Sequence, residues 1–204
     1  MTRPRKPSNQ ELRTRKDLLL AASRLMKQGR TPTMDEVAAE ALVSRATAYR
    51  HFPKIEALLV EAPLDAAVAD PRTLFADDPS DDVEERVDRA EASLHEMIYQ
   101  NEAQLRILLA NSIRRDLTDD SIPARQNRRL PLIEAALAPA RARLPEADYE
   151  RLCAALALVF GVESMIVFRD VLGVDSDTAR TVKSWAVRAL VRAALQDSMP
   201  IAAE

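Results

Sequence analysis

Between Ser44 and Lys54 the chain reads Ser-Arg-Ala-Thr-Ala-Tyr-Arg-His-Phe-Pro-Lys. These side chains donate hydrogen bonds and carry positive charge, and no nucleophile stands beside a base. That chemistry suits an anionic, hydrogen-bonding surface better than a reaction. On a helix advancing about 100° per residue, Ala48 and Phe52 lie about 40° apart and form the side to be buried. Arg50 points the opposite way, flanked by Ala46 and Thr47. Arg45 and Tyr49 occupy one shoulder and His51 the other. An outward arginine matches the paired acceptors of a guanine in the major groove, and small residues let the backbone approach closely. Tyr49, His51 and Lys54 are placed to touch phosphates and set register. The bland alternative is a helical hairpin with a solvated polar face.

The elements that must position this cluster are short and capped. Helix 1 is expected over about Asn9 to Gln28, with Leu18, Ala22 and Leu25 on one face and Gly29 as its stop. Thr33 reads as an N-cap, and Glu36 completes a capping box for a helix over Met34 to Ala41. The hydroxyl of Thr33 and that helix N-terminus add a phosphate anchor. Leu42-Val43 make a turn, and Ser44 caps the next helix, Arg45 to His51. Pro53 ends it, and a fourth helix follows from about Lys54. Two short helices joined by a tight turn have the form of a helix-turn-helix.

Charge separates this region from the rest. Residues 1–60 carry 12 Lys and Arg against 6 Asp and Glu, while residues 61–204 carry 17 against 26. Taken alone, the split is no stronger than a chance fluctuation. Combined with the helix angles, it assigns nucleic acid to the head and leaves an acidic body that repels it. Other classes are disfavoured. One Cys and two His give no disulfide framework and little for a metal. Three Gly in 204 residues argue against a β-rich fold. The longest uncharged run, Leu152 to Val162, falls short of the roughly 18 residues of a membrane span. The basic N-terminus is followed by no apolar stretch, so no secretory signal is expected, and a cytoplasmic protein is.

The segment Thr33-Met34-Asp35-Glu36-Val37-Ala38, followed by Val43-Ser44-Arg45-Ala46-Thr47-Ala48-Tyr49-Arg50-His51-Phe52-Pro53, resembles the DNA-binding signature of tetracycline-repressor (TetR) family regulators. Three positions depart from it. Leu42 replaces the usual turn glycine, Ala46 a frequent glycine, and Ile55 a lysine. The resemblance spans about residues 12–60. It implies an all-α homodimer of about nine helices that binds double-stranded DNA at a palindromic operator and is released by a small-molecule effector. The division it implies is a basic arm over 1–8, a helix-turn-helix domain over 9–60, and a ligand-binding and dimerisation domain over 61–204. No cofactor is implied.

Within 61–204, helices are expected over about 83–100, 102–116, 124–143, 146–172 and 176–197, with Pro71 to Asp82 a loop. Pro131 and Pro139 are expected to start, break or kink their helix. Leu152, Leu156, Val159, Glu163, Ile166 and Val167 share one helical face. Glu163 sits at the rim or pairs with an arginine, or it lines a cavity. Asn111 and Ser112 interrupt an apolar stretch as inter-helix hydrogen bonders or as polar contacts in that cavity. The pocket candidates are therefore Met97, Leu108, Asn111, Ser112, Phe160, Glu163 and Val167. Val182, Trp185, Ala186, Ala189, Leu190 and Ala193 form a stripe of small and apolar residues, suited to a four-helix bundle across a dimer axis or to packing within the chain. Arg114-Arg115 and Arg128-Arg129 read as solvated or ion-paired ends. His95 reads as a satisfied core histidine and Cys153 as a small core residue.

Three function classes are open to such a chain. A ligand-responsive transcription factor, most of which repress, fits the intact helix-turn-helix. An enzyme finds no Gly-rich phosphate loop, H-E-x-x-H, G-x-S-x-G or Cys–His pair to support it. A helical module without DNA binding conflicts with Arg45, Thr47, Tyr49, Arg50 and His51.

Overall fold

A computed structural model describes residues 8–76, 80–118 and 127–197, with side chains left out for 114–118 and 197. The arm over 1–7, most of the Thr118-to-Pro123 loop and the Arg114-Arg115 side chains therefore lie outside the described residues. No strand occurs among the described residues, and the fold is all-α.

Contacts divide the chain into two compact units, Met1–Ala67 with Ile107–Arg125, and Val68–Arg106 with Gln126–Glu204. The first contains α1 (Asn9–Lys27), α2 (Met34–Glu40), α3 (Arg45–His51) and α4 (Ile55–Ala67). Its core joins Leu18, Leu19 and Ala22 of α1 to Val37 and Ala38 of α2, Ala48 of α3, Phe52, and Leu58 and Ala62 of α4. Every helix start in the α1–α3 run is capped by its own sequence. Ser8 with Glu11 and Thr33 with Glu36 form full capping boxes, and the Ser44 hydroxyl accepts from the Thr47 N–H.

The turn between α2 and α3 closes as a Schellman motif. The Val43 N–H donates to the Ala38 carbonyl and the Leu42 N–H to that of Ala39. This demands a left-handed residue at position 42, and Leu42 takes φ 56°. It is the one non-glycine residue with positive φ among those described, and its side chain is 93% exposed. It therefore carries strain without compensating burial. Replacing Leu42 with Gly is expected to stabilise the head by about 0.5–1 kcal/mol, strain relief outweighing the entropy of the added glycine. A urea midpoint that falls instead would show that the turn is unstrained.

In the second unit, α6 (Val83–Gln100) packs against α8 (Arg129–Leu137), α10 (Val162–Ile166) and α11 (Ser176–Asp197), while α9 (Glu146–Val159) packs against α8 and α11. Helix α7 (Glu102–Thr118) crosses the division between units. Three expectations are corrected. The loop from Pro71 contains a short helix, α5 (Pro71–Leu74), because Asp70 caps it and Pro71 opens its first turn. The helix expected to 143 ends at Leu137 and continues as a 3-10 turn, Ala138–Ala140, holding Pro139.

The long helix over 146–172 is broken. Phe160 leaves helical geometry, Gly161 takes φ 141°, and α10 restarts before a π-helical stretch, Val167–Val171. Polar side chains satisfy carbonyls exposed by the break. The Ser164 hydroxyl lies 2.8 Å from the carbonyl oxygens of Val159 and Gly161, and Arg129 Nη1 donates to that of Ala157 at 2.6 Å. The Arg129 guanidinium occupies the space of an absent side chain. A Cβ on Gly161 would lie 2.7 Å from Arg129 Cζ and 2.8 Å from Glu163 Oε2. Leu152 and Leu156 are buried within the chain, whereas Val167 is exposed, so the break divides the expected apolar face.

Between α6 and α11 lies a cluster of buried charge. Glu91 and Lys183 are almost fully buried and in direct ion contact, with Arg180 Nη1 3.3 Å from Glu91. Lys183 Nζ lies 3.3 Å from His95 Nδ1, and His95 Nε2 lies 3.0 Å from Ser176 Oγ. A protonated lysine makes Nδ1 the acceptor, which leaves Nε2–H to donate to Ser176. Burial, then the charges of Lys183 and Arg180, push His95 down to about 4, so it is neutral at pH 7. His95 is thus a satisfied core histidine. Asp88 extends the cluster with ion pairs to Arg180 and Arg188, and Glu84 pairs with Arg192.

Candidate nucleic-acid interface

The short helix α3 is held by its inner side. Ala48 and Phe52 are fully buried. The remaining expected contacts then turn outward: Ser44, Arg45, Ala46, Tyr49, Arg50 and Lys54 are exposed, and Thr47 is half-buried. No carboxylate pairs with Arg50 or Lys54 among the described residues. Thr33 is exposed, with its hydroxyl engaged in the capping box of α2. The Ser44 and Thr47 hydroxyls lie 2.8 Å apart. A polar groove of about 570 Å³ runs between the start of α1 and α3, lined by Ser8, Glu11, Thr14, Ser44, Thr47 and Arg50 among others.

His51 differs from its neighbours. It is half-buried, and its Nε2 is enclosed without a hydrogen-bond partner. Burial first, then the charges of Arg50 and Arg15, push its pKa below the usual histidine value. The histidine therefore stands as a neutral wedge at the C-terminus of α3 at pH 7.

Sequence reasoning missed the residue that fixes α3. Arg15 of α1 is 9% exposed. Its guanidinium donates from Nη1 to the His51 carbonyl at 3.0 Å and from Nη2 to Glu61 of α4 at 2.5 Å. Its Cζ lies 3.9 Å from the centroid of the Phe52 ring. One side chain thus ties α1 to the last turn of α3 and to α4, and it satisfies an orphan carbonyl at the helix end. The signal was present. Arg15 falls three residues before Leu18 on the apolar face of α1, and Glu61 adjoins Ala62 on that of α4.

Residues 18–62 match the family model described as bacterial regulatory proteins, tetR family. That stretch is a tetR-family DNA-binding domain, and it makes the chain a DNA-binding transcriptional regulator. Its DNA-binding head is thereby a helix-turn-helix, and the matched stretch runs from Leu18 in α1 to Ala62 in α4. No curated protein sequence matches the chain. Among the described residues of this regulator, no single helix is long and apolar enough to cross a membrane. The bent pair Glu146–Val159 and Val162–Val171 passes that test by length and composition only.

The other expected residues of the regulator are placed as follows. Met97 and Phe160 are buried, Val167 is exposed, and Glu163 is half-buried with Oε2 2.8 Å from Arg129 Nη2. Leu108 and Ser112 are half-buried and Asn111 is exposed. On α11, Ala179, Lys183, Val187 and Val191 are buried. Trp185 is 72% and Val182 41% exposed, Ala193 is exposed, and Ala186, Ala189 and Leu190 are half-buried. Cys153 is buried beside Tyr149, and burial raises its thiol pKa. No group of three or more His, Cys, Asp or Glu is arranged to hold a metal among the described residues.

Proposed function

We propose that this regulator is a cytoplasmic homodimer that occupies a palindromic operator, represses the adjoining gene and is released by a small-molecule effector. Residues 9–60 form the DNA-binding domain and residues 61–204 the effector and dimerisation domain. The observation that carries the reading is the geometry of α3. Arg50 stands opposite buried Ala48 and Phe52, exposed and without a carboxylate partner among the described residues. It is available to a base edge in the major groove. Arg45, Ala46 and Thr47 flank it there. Thr33, Ser44, Tyr49, His51 and Lys54 position the helix on phosphates.

The exposed apolar stripe of Val182 and Trp185, with Ala186, Ala189, Leu190 and Ala193, supports a dimer through α11. Such a dimer sets two recognition helices about 34–36 Å apart on successive major grooves. An effector that fits only the conformation with mis-spaced helices shifts the population off DNA. Its proposed contacts are Met97, Leu108, Asn111, Ser112, Phe160, Glu163 and Val167.

Footprinting on the DNA flanking the protein's own gene tests the reading. The wild type is expected to protect a two-fold symmetric site. Replacing Arg50 with Ala should weaken that binding by about 1–3 kcal/mol and relax one base pair in each half-site. An unaltered base preference would remove Arg50 as a reader, and a monomer by light scattering would end the palindrome argument.

A further inference from the structure

All three carboxylates of α2 face an arginine. Glu36 meets Arg30, and Glu40 Oε1 lies 2.8 Å from Arg24 Nε. Asp35 is the one that reaches the recognition helix, with Oδ1 3.0 Å from Nε of Arg45. That pair is largely in water, the two side chains being 59% and 67% exposed. An ion pair so exposed adds little to stability. Its consequence is geometric.

The carboxylate approaches the guanidinium at Nε, one of its five N–H donors. On a second flank the Tyr49 ring centroid lies 5.5 Å from Arg45 Cζ. Arg45 is thus held between an acid from α2 and an aromatic one turn along its own helix. An arginine restrained before binding loses less rotamer freedom when it donates two parallel hydrogen bonds. The same carboxylate repels phosphates, so it disfavours the use of Arg45 as a mere backbone clamp.

We infer that Asp35 is a specificity-determining residue, which aims Arg45 at a guanine and penalises docking on unrelated DNA. The inference rests on the reading of α3 as the base-reading helix. Asp35 acts through Arg45 and is a positioning residue.

The test uses the full-length protein and a pool of random-sequence duplexes, from which the preferred site and its base-by-base preference are selected. The selected duplex and an unrelated duplex are then titrated at several salt concentrations with wild type, Asp35→Asn, Asp35→Glu and Arg45→Ala. For Asp35→Asn the ratio of specific to non-specific affinity is expected to fall about 5- to 20-fold. The unrelated duplex should bind more tightly, with a salt slope steeper by about one. The lost base preference should fall at the base pair that Arg45→Ala also loses, and Asp35→Glu should restore part of it.

Because the pair is exposed, Asp35→Asn should keep the wild-type unfolding midpoint. Equal weakening on both duplexes overturns the inference, as does a lost base pair different from that of Arg45→Ala. A wild type that binds DNA but enriches no sequence brings down the reading of α3 itself, and this proposal with it.

Discussion

Replacing Arg15 with Ala is expected to destabilise the DNA-binding head by about 3–5 kcal/mol, more than any substitution on the exposed side of α3. Arg15 and Glu61 are 9% and 6% exposed, so the deletion takes the Arg15 cation away from a buried carboxylate. It also orphans the His51 carbonyl and removes the cation from the Phe52 ring. The loss comes mostly from the groups left behind, not from the attraction removed. The double replacement Arg15→Met with Glu61→Leu should therefore recover most of the stability. Urea unfolding of the three proteins checks this, followed by DNA binding. The double variant should fold yet bind DNA less tightly, because α3 loses the tie to its C-terminal carbonyl. If Arg15→Ala unfolds like the wild type, the guanidinium is not buried as described.

The second large effect is expected in the other unit. Replacing Lys183 with Met should cost about 3 kcal/mol, because Glu91, fully buried, loses its nearest cation and keeps only Arg180 at 3.3 Å. Burial already pushes the Glu91 carboxyl up and the Lys183 ammonium down, each held charged by the other. Removing the lysine while keeping the acid leaves desolvation unopposed. Adding Glu91→Gln to Lys183→Met should restore more than half of the loss, since a neutral amide is far cheaper to bury than a lone carboxylate. Thermal unfolding of the single and double variants measures the coupling as a double-mutant cycle. A loss in the double variant equal to the sum of the losses in Lys183→Met and Glu91→Gln would mean that the two charges do not interact.

What the sequence discloses here is mostly local. The capped starts of α2 and α3 are legible because each cap lies within three residues of the group it satisfies. The left-handed turn at Leu42 is legible for the same reason. The buried side of α3 follows from spacing alone. The place of Arg15 on the apolar face of α1 marks it for burial, but its partners lie 36 and 46 residues away and local spacing does not pair it with them. The Glu91–Lys183 contact is hidden likewise, although Glu84, Asp88, Glu91 and His95 recur on one face of α6 at helical spacing. The break at Gly161 was hidden differently. It lies in the longest uncharged run, where hydrophobic periodicity continues straight through it. What packs against the break is a guanidinium from another helix, which periodicity does not register. At Pro71 the signal was present and misjudged: Asp70 before a proline is a helix start inside a segment whose composition suggests a loop.

The guanidinium lodged against Gly161 has a historical consequence. A β-carbon there would lie 2.7 and 2.8 Å from the side-chain ends of Arg129 and Glu163, which would have to move aside, and φ 141° is a conformation that L side chains rarely adopt. A substitution at position 161 thus displaces the Arg129–Glu163 pair and strains the backbone of the break. The three positions form one unit of inheritance. Loss of Arg129 costs the Ala157 carbonyl its donor while the glycine stays, and a change of the glycine moves Arg129 and Glu163 together.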